Sequence, residues 1–335
     1  MKERIKRGII TCLAVALFVS LSLLGCQRVD RDLRTINLFG FSVMREAFTQ
    51  EIISKFQEYW RGKTGEEVEF VHHFAGSETI TAQISAGALA EVAILSTEAD
   101  ALRLKEKGLV TTDWRALPFN GTLTVTPFII LVRRGNPKGI GSFEDLTREG
   151  IEVVHPDPAT SGGAQWAILA IYGAGLVAGK GERGARELLK GVERNVVAMP
   201  DSARKAMTTF RTWTGDALIT YENEALLVQR KQREAFEIVY PEATILSEHK
   251  VVLIDRNIDE GERKLIKEFV DFLWSEEVQR IFCDYGFRSP DEKISQECGY
   301  QPIAKPFTVE LFGGWPPAKE RIIDGIWEGI RQELR

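Results

Sequence analysis

The residues of this chain best suited to chemistry are small and mostly neutral, and they stand where an apolar run gives way to a helical pattern. Ser42 follows the run ending at Phe41, Ala75-Gly76-Ser77 follows the run from Val68 to Phe74, and Ser161-Gly162-Gly163 opens an apolar helical stretch. Asp201-Ser202-Ala203-Arg204 and Tyr221-Glu222 repeat the arrangement more weakly. The first N–H groups of a helix have no partner within it, and the helix dipole adds partial positive charge, so each junction is a place to hold an anion. Ser161-Gly162-Gly163 is the sharpest of them. Its two glycines let backbone amides approach a ligand that a side chain would block, and Pro156 and Pro158 stiffen the loop before it. A bare helix cap needs only one small residue, which is the simpler reading of Ser42.

Catalytic and metal-binding readings find less support. The four histidines, His72, His73, His155 and His249, form no recognisable motif, and no G-x-S-x-G elbow is present. His155 lies six residues before Ser161 at a strand end, which leaves a serine-dependent sulfate or phosphate ester hydrolase as a remote alternative. His72 and His73 are adjacent on a predicted strand and face opposite sides, so one is expected in the core and one exposed. With no CxxC pair and no His/Cys ligand spacing, neither a metal nor a cofactor is expected. Gly179-Lys180 invites a P-loop reading, but the glycine five positions earlier is missing and Gly181 stands where Ser or Thr belongs. Cys283 and Cys298 form either one disulfide or two separate thiols, since their spacing fixes no geometry.

The ends of the chain bear on compartment and partners. Lys2, Arg4, Lys6 and Arg7 make a basic start, and Ile9 to Leu24 is apolar apart from Thr11 and two serines, the pattern of a signal peptide over residues 1–25. Its end, Leu23-Leu24-Gly25-Cys26, resembles the lipobox of bacterial lipoproteins, which implies cleavage before Cys26 and acylation of that cysteine. A transmembrane anchor would need about 18 to 20 apolar residues, more than this stretch offers. Residues 1–25 carry four basic side chains and one acidic one, so their removal takes the formal charge from −5 to −8 and argues against a nucleic-acid partner. Residues 26–34 are mostly charged and suit a tether. The expected location is across the cytoplasmic membrane, lipid-anchored, periplasmic or at the cell surface.

From Thr35 onward short apolar runs alternate with helical patterns, the signature of an α/β fold with largely parallel sheets, and the length exceeds what one core usually holds. Strands are expected at 36–41, 68–74, 92–95, 151–155 and 217–221, and helices at 77–87, 99–107, 163–172, 182–193, 259–285 and 318–333. Phe48, Ile52, Phe56 and Trp60 mark another helix. The run 122–133, whose Pro127 should disturb a central ladder, crosses to a second lobe, and the β-rich run 236–255 returns. Lobe one would comprise 35–125 plus 240–335, and lobe two 126–239.

In order along the chain, Phe41-Ser42-Val43-Met44-Arg45-Glu46, Ala75-Gly76-Ser77, Arg133-Arg134-Gly135-Asn136-Pro137, Ser161-Gly162-Gly163-Ala164-Gln165-Trp166, Asp216 through Ala225 and Leu311-Phe312-Gly313-Gly314-Trp315 resemble the bacterial sulfate- and thiosulfate-binding proteins of sulfate ABC transporters. The resemblance runs from about Ile36 to about Trp315. It implies a two-lobed type II periplasmic binding protein, each lobe a largely parallel sheet flanked by helices, with the oxyanion in the interlobe cleft. It further implies a monomer that delivers its ligand to ABC transporter membrane subunits. Carried over by position, the donors are the amide of Ser42, the hydroxyls of Ser77 and Ser161, the amides of Gly162 and Gly163, and an amide near Ala203. Tyr221 stands where the family has a tryptophan, and Glu78-Thr79 replaces a usual Gly-Lys. Glu78 either caps its helix and turns to solvent, or points inward and repels a dianion; the proton of a phosphate would find an acceptor in an inward Glu78 or in the Tyr221 oxygen. Arg45 and Arg204 either tune the field or pair with Glu46 and Asp201; Trp166 and Trp315 pack the lobes. Sulfate is the first ligand expected and phosphate or another tetrahedral oxyanion the second. A lipoprotein reporting anion levels to a membrane sensor would use the same site.

Overall fold

The computed structural model describes residues 34–231 and 236–335. The signal sequence, Cys26 and the tether up to residue 33 lie outside the described residues. Strand β1 (Arg34–Phe41) is flanked by two parallel partners, β2 (Val68–Ala75) and β3 (Val92–Leu95). Helices α1 (Ile53–Thr64), α2 (Ser77–Ser85) and α3 (Glu98–Glu106) make the connections. Alternating strands and helices wind this first half because each parallel return needs a crossover that covers one face of the sheet.

The second half repeats the logic with β5 (Val153–Val154), α4 (Gly162–Val177), α5 (Gly181–Arg194), β6 (Val196–Ala198), α6 (Ala203–Arg211), β7 (Ala217–Tyr221) and α7 (Glu222–Lys231). Strands β5, β6 and β7 are parallel. Joining the halves are two long strands, β4 (Thr122–Arg133) and β9 (Ala243–Leu253), which pair antiparallel with one another. Among the described residues the sheet has ten strands in the order β2-β1-β3-β9-β4-β7-β5-β6, with β8 (Phe236–Val239) on β4 and β10 (Lys305–Phe307) on β9.

Several expectations needed correction. Strand β4 runs unbroken through Pro127, because the ladder with β9 ends at Pro127 opposite Leu246 and the ladder with β7 begins at Phe128 opposite Tyr221. The missing N–H therefore falls at the handover between partners, where it costs the sheet least. The single helix expected over 259–285 is two, α8 (Arg263–Phe272) and α9 (Glu276–Asp284), since Ser275 caps the second through Val278 N. His72 and His73 are both exposed, because β2 is the edge strand and both of its faces reach solvent at that point. Cys283 and Cys298 are disulfide-bonded. Trp166 and Trp315 meet edge to face at 4.5 Å, as core packing requires.

Ile80, Ile84, Leu95, Leu104 and Trp114 form a buried cluster beneath α2 and α3, and Ile129, Leu131, Met207, Phe210 and Leu218 form another beneath α6. A larger core runs along the opposite face of the sheet through both halves. These clusters back the helices α2, α3 and α6, and the line where the two halves meet is the seam of the molecule.

Candidate functional site

Each proposed amide donor lies in the first turn of a helical element. Ser42 opens a 3-10 turn after β1, Ser77 opens α2, Gly162 and Gly163 open α4 behind the N-cap Ser161, and Ala203 opens α6. The backbone N–H groups of Ser42, Ser77, Gly162, Gly163 and Ala203 donate to no acceptor among the described residues, as expected for first-turn amides. The Ser161 hydroxyl makes no cap bond to its own helix. All of these residues are buried.

The structure brings the junctions together. A Cβ placed on Gly163 would lie 2.9 Å from Tyr221 Cε2 and 3.3 Å from Ser161 Oγ, and one on Gly162 would lie 2.7 Å from Ser96 Oγ. Across the seam, a Cβ on Gly76 would meet the carbonyl oxygens of Thr160 at 2.1 Å and Asp201 at 2.7 Å, so glycine is required there by backbone approach. The Phe41 and Tyr221 rings are 6.1 Å apart, which places the Ser42 junction against the end of β7.

Ser96 is a further site residue, absent from the expected donors, although Ser96-Thr97 after β3 and before α3 has the same strand, small residue, helix signature. Its Oγ lies 2.7 Å from the Tyr221 hydroxyl, and its N–H donates to Ser77 Oγ at 3.0 Å. Ser77 Oγ in turn donates to Asp100 Oδ2 at 2.5 Å, so its hydrogen is committed and the junction offers its backbone N–H. Burial pushes the Tyr221 phenol far above its ordinary range, an effect that outweighs the Ser96 contact, so Tyr221 remains a protonated donor. His249, packed 4.6 Å from the Phe41 ring, is pushed down to about 3 by burial, with Lys250 adding to the fall, and brings no positive charge.

Glu78, Arg103, Arg204, Glu46, Glu224 and Asp201 take part in ion pairs near the junctions. Glu78 does not turn to solvent: its Oε2 lies 2.6 Å from Arg103 Nη1 and its Oε1 accepts from Gln165 Nε2 at 2.6 Å. Arg204 Nη2 reaches Glu46 at 2.6 Å and Glu224 at 2.8 Å, while Asp201 pairs with Lys205 instead. Arg45 donates to the Phe74 carbonyl at 2.8 Å. His155 cannot serve Ser161 as a base, because its Nδ1 faces the Pro156 carbonyl at 2.7 Å and its Nε2 faces Glu193 at 3.0 Å. Among the described residues no group of three or more His, Cys, Asp or Glu side chains could hold a metal ion.

Two wound half-sheets joined by crossing strands, with helix N-termini opposed across the seam, define the fold of the type II periplasmic binding proteins. The chain belongs to the bacterial extracellular solute-binding proteins, whose family description matches residues 36–288, and within them to the sulfate- and thiosulfate-binding proteins. It is 33% identical to the sulfate-binding protein of Synechococcus elongatus over 87% of this chain and 85% of that one. It is 31% identical to the thiosulfate-binding protein of Pseudomonas aeruginosa over 93% and 95% of the two chains. The solved structure of the sulfate-binding protein SubI from Mycobacterium tuberculosis superposes with a TM-score of 0.79 at 27% identity, covering 86% of this chain and 99% of that one. Membership places the chain among extracellular binding proteins, not enzymes. Among the described residues no helix is long and apolar enough to cross a membrane.

Proposed function

We propose that the chain binds sulfate or thiosulfate between its two half-sheets and passes it to the membrane subunits of an ABC importer. The observation that carries this reading is the convergence, from both halves, of first-turn amides with no protein acceptor on a buried seam where Arg103 and Arg204 are held by carboxylates. The ligand-facing set is the amides of Ser42, Ser77, Gly162, Gly163 and Ala203 with the hydroxyls of Ser161 and Tyr221. Six or seven hydrogen bonds to a charged ligand, at about 1.5 to 3 kcal/mol each, amount to roughly 9 to 20 kcal/mol gross. Micromolar affinity needs only about 8 kcal/mol after closure and ordering costs, so neutral donors suffice.

Sulfate stands ahead of phosphate because a bound hydrogen phosphate needs an acceptor for its proton, while both Glu78 oxygens are engaged by Arg103 and Gln165 and the Tyr221 hydroxyl is shared with Ser96. The two halves act as lobes, divided near residues 125 and 240, with β4 and β9 as hinges. Acylation at Cys26 holds the monomer at the membrane, which mass spectrometry of the mature N-terminus tests. Calorimetric titration of the mature protein is expected to give heat with sulfate and thiosulfate, and Gly163→Leu, which drives a side chain into Tyr221, should abolish it with the circular dichroism unchanged. Heat with phosphate alone, or full affinity in Gly163→Leu, would overturn the ligand or the site respectively.

A further inference from the structure

Glu78 occupies the first turn of α2, one residue after a proposed ligand amide, yet its carboxylate is directed elsewhere. It is 9% exposed and spans the seam: Arg103 of α3 holds one oxygen from its own half, and Gln165 of α4 grips the other from the opposite half. Gln165 is 1% exposed, and its Nε2 also reaches the Pro158 carbonyl at 3.3 Å. Arg103 continues inward, since its Nη2 meets Asp100 Oδ1 at 2.6 Å and Asp100 Oδ2 receives the Ser77 hydroxyl at 2.5 Å. An unbroken chain of contacts therefore runs from the second half, through Glu78, to the Ser77 junction. Beside it, Thr79 N donates across the same seam to Thr160 O at 3.4 Å.

Such a contact exists only while the halves are together. When they part, Glu78 keeps Arg103 and regains water, whereas the Gln165 contact is lost, so the bond contributes to the closed form alone. We infer that Glu78, braced by Arg103 and gripping Gln165, is a latch that sets how long the protein stays closed on its ligand, acting through closure and not through ligand contact. The inference deepens the oxyanion-binding reading and rests on it. Glu78 and Gln165 are positioning residues in this scheme, and they govern ligand release without choosing between ligands.

The test uses the full mature protein, with sulfate and thiosulfate dissociation followed by stopped-flow intrinsic fluorescence, and small-angle scattering of the ligand-free protein. Gln165→Ala is expected to weaken both ligands by the same factor, about tenfold, carried by the dissociation rate, with association unchanged. Glu78→Gln, nearly isosteric, keeps an acceptor for Gln165 but loses the charge, and about a threefold effect is expected. Glu78→Ala combined with Gln165→Ala should be no worse than the more severe single change, because both remove one contact. An unchanged dissociation rate in Gln165→Ala, or a changed sulfate-to-phosphate preference in Glu78→Gln, overturns the latch. If the wild type binds neither sulfate nor thiosulfate, the ligand assignment fails by itself. The latch is then judged by scattering alone: a larger radius of gyration in Gln165→Ala sustains it, and an identical one removes it.

Discussion

Glu224 shows how a single side chain at the seam is read through its surroundings. It begins as one acidic residue in Tyr221-Glu222-Asn223-Glu224, and nothing local distinguishes it from a surface glutamate. In the fold it is fully buried beside Arg204, which it shares with Glu46 of the other half. Burial pushes its carboxyl from 4.5 up to about 7; the Arg204 guanidinium opposes that rise and Glu46 adds to it. The folded state thus holds this proton more tightly than the unfolded chain does. The stability contributed by the neutral form is complete below about pH 4.5 and lost as pH rises to about 7, an effect on the order of 3 kcal/mol. Glu224→Gln, which mimics the neutral form, should flatten that decline in urea midpoints taken at pH 5 and pH 8. Parallel curves for variant and wild type would show that Arg204 already compensates the buried charge in full. The same distinction separates the strand, small residue, helix signature at Ser96, which is local, from its contact with Tyr221, which only the fold creates.

The elements that carry donors were legible because a strand end, a small residue and a helix start form a local pattern, and the unpaired amides follow from helix geometry alone. What those elements press against was not legible. Gly76 precedes α2 with ordinary extended angles, φ −60° and ψ 143°, so no turn requires it to be glycine. Its need appears only when Thr160 and Asp201 bring their carbonyls against it from the opposite half. Gly76→Ala is therefore expected to leave α2 and β2 intact, with a thermal midpoint within a few degrees of wild type. Because the added methyl obstructs closure, sulfate affinity should fall by about 100-fold, the loss coming from the shrinking closed population. Calorimetry showing affinity within threefold of wild type would mean that the halves approach less closely in solution. Elsewhere the element boundaries moved for physical reasons: Ser275 offers a cap that splits a long amphipathic stretch, and Pro127 is tolerated because β4 changes partners there.

At the scale of the whole molecule, β4 and β9 are the structural link that matters, since β9 pairs with β3 of the first half, β4 pairs with β7 of the second, and their own ladder joins the halves in one sheet. A ligand that bridges the halves stabilises the entire closed molecule by mass action. At 100 times its Kd sulfate should add about 2.7 kcal/mol, which corresponds to a rise of roughly 5 °C in thermal midpoint. Chloride at equal ionic strength should give none of it, and an equal rise with chloride would reduce the effect to general screening. The sequence by itself determined the wound α/β architecture and the kind of donor available, because both are written in runs of neighbouring residues. Only the tertiary structure decided which carboxylate faces which cation, that Glu78 meets Gln165 across 87 positions of chain, and that Cys283 joins Cys298. Those pairings depend on how two crossing strands set one half against the other, and no local pattern of apolar and polar residues encodes that distance.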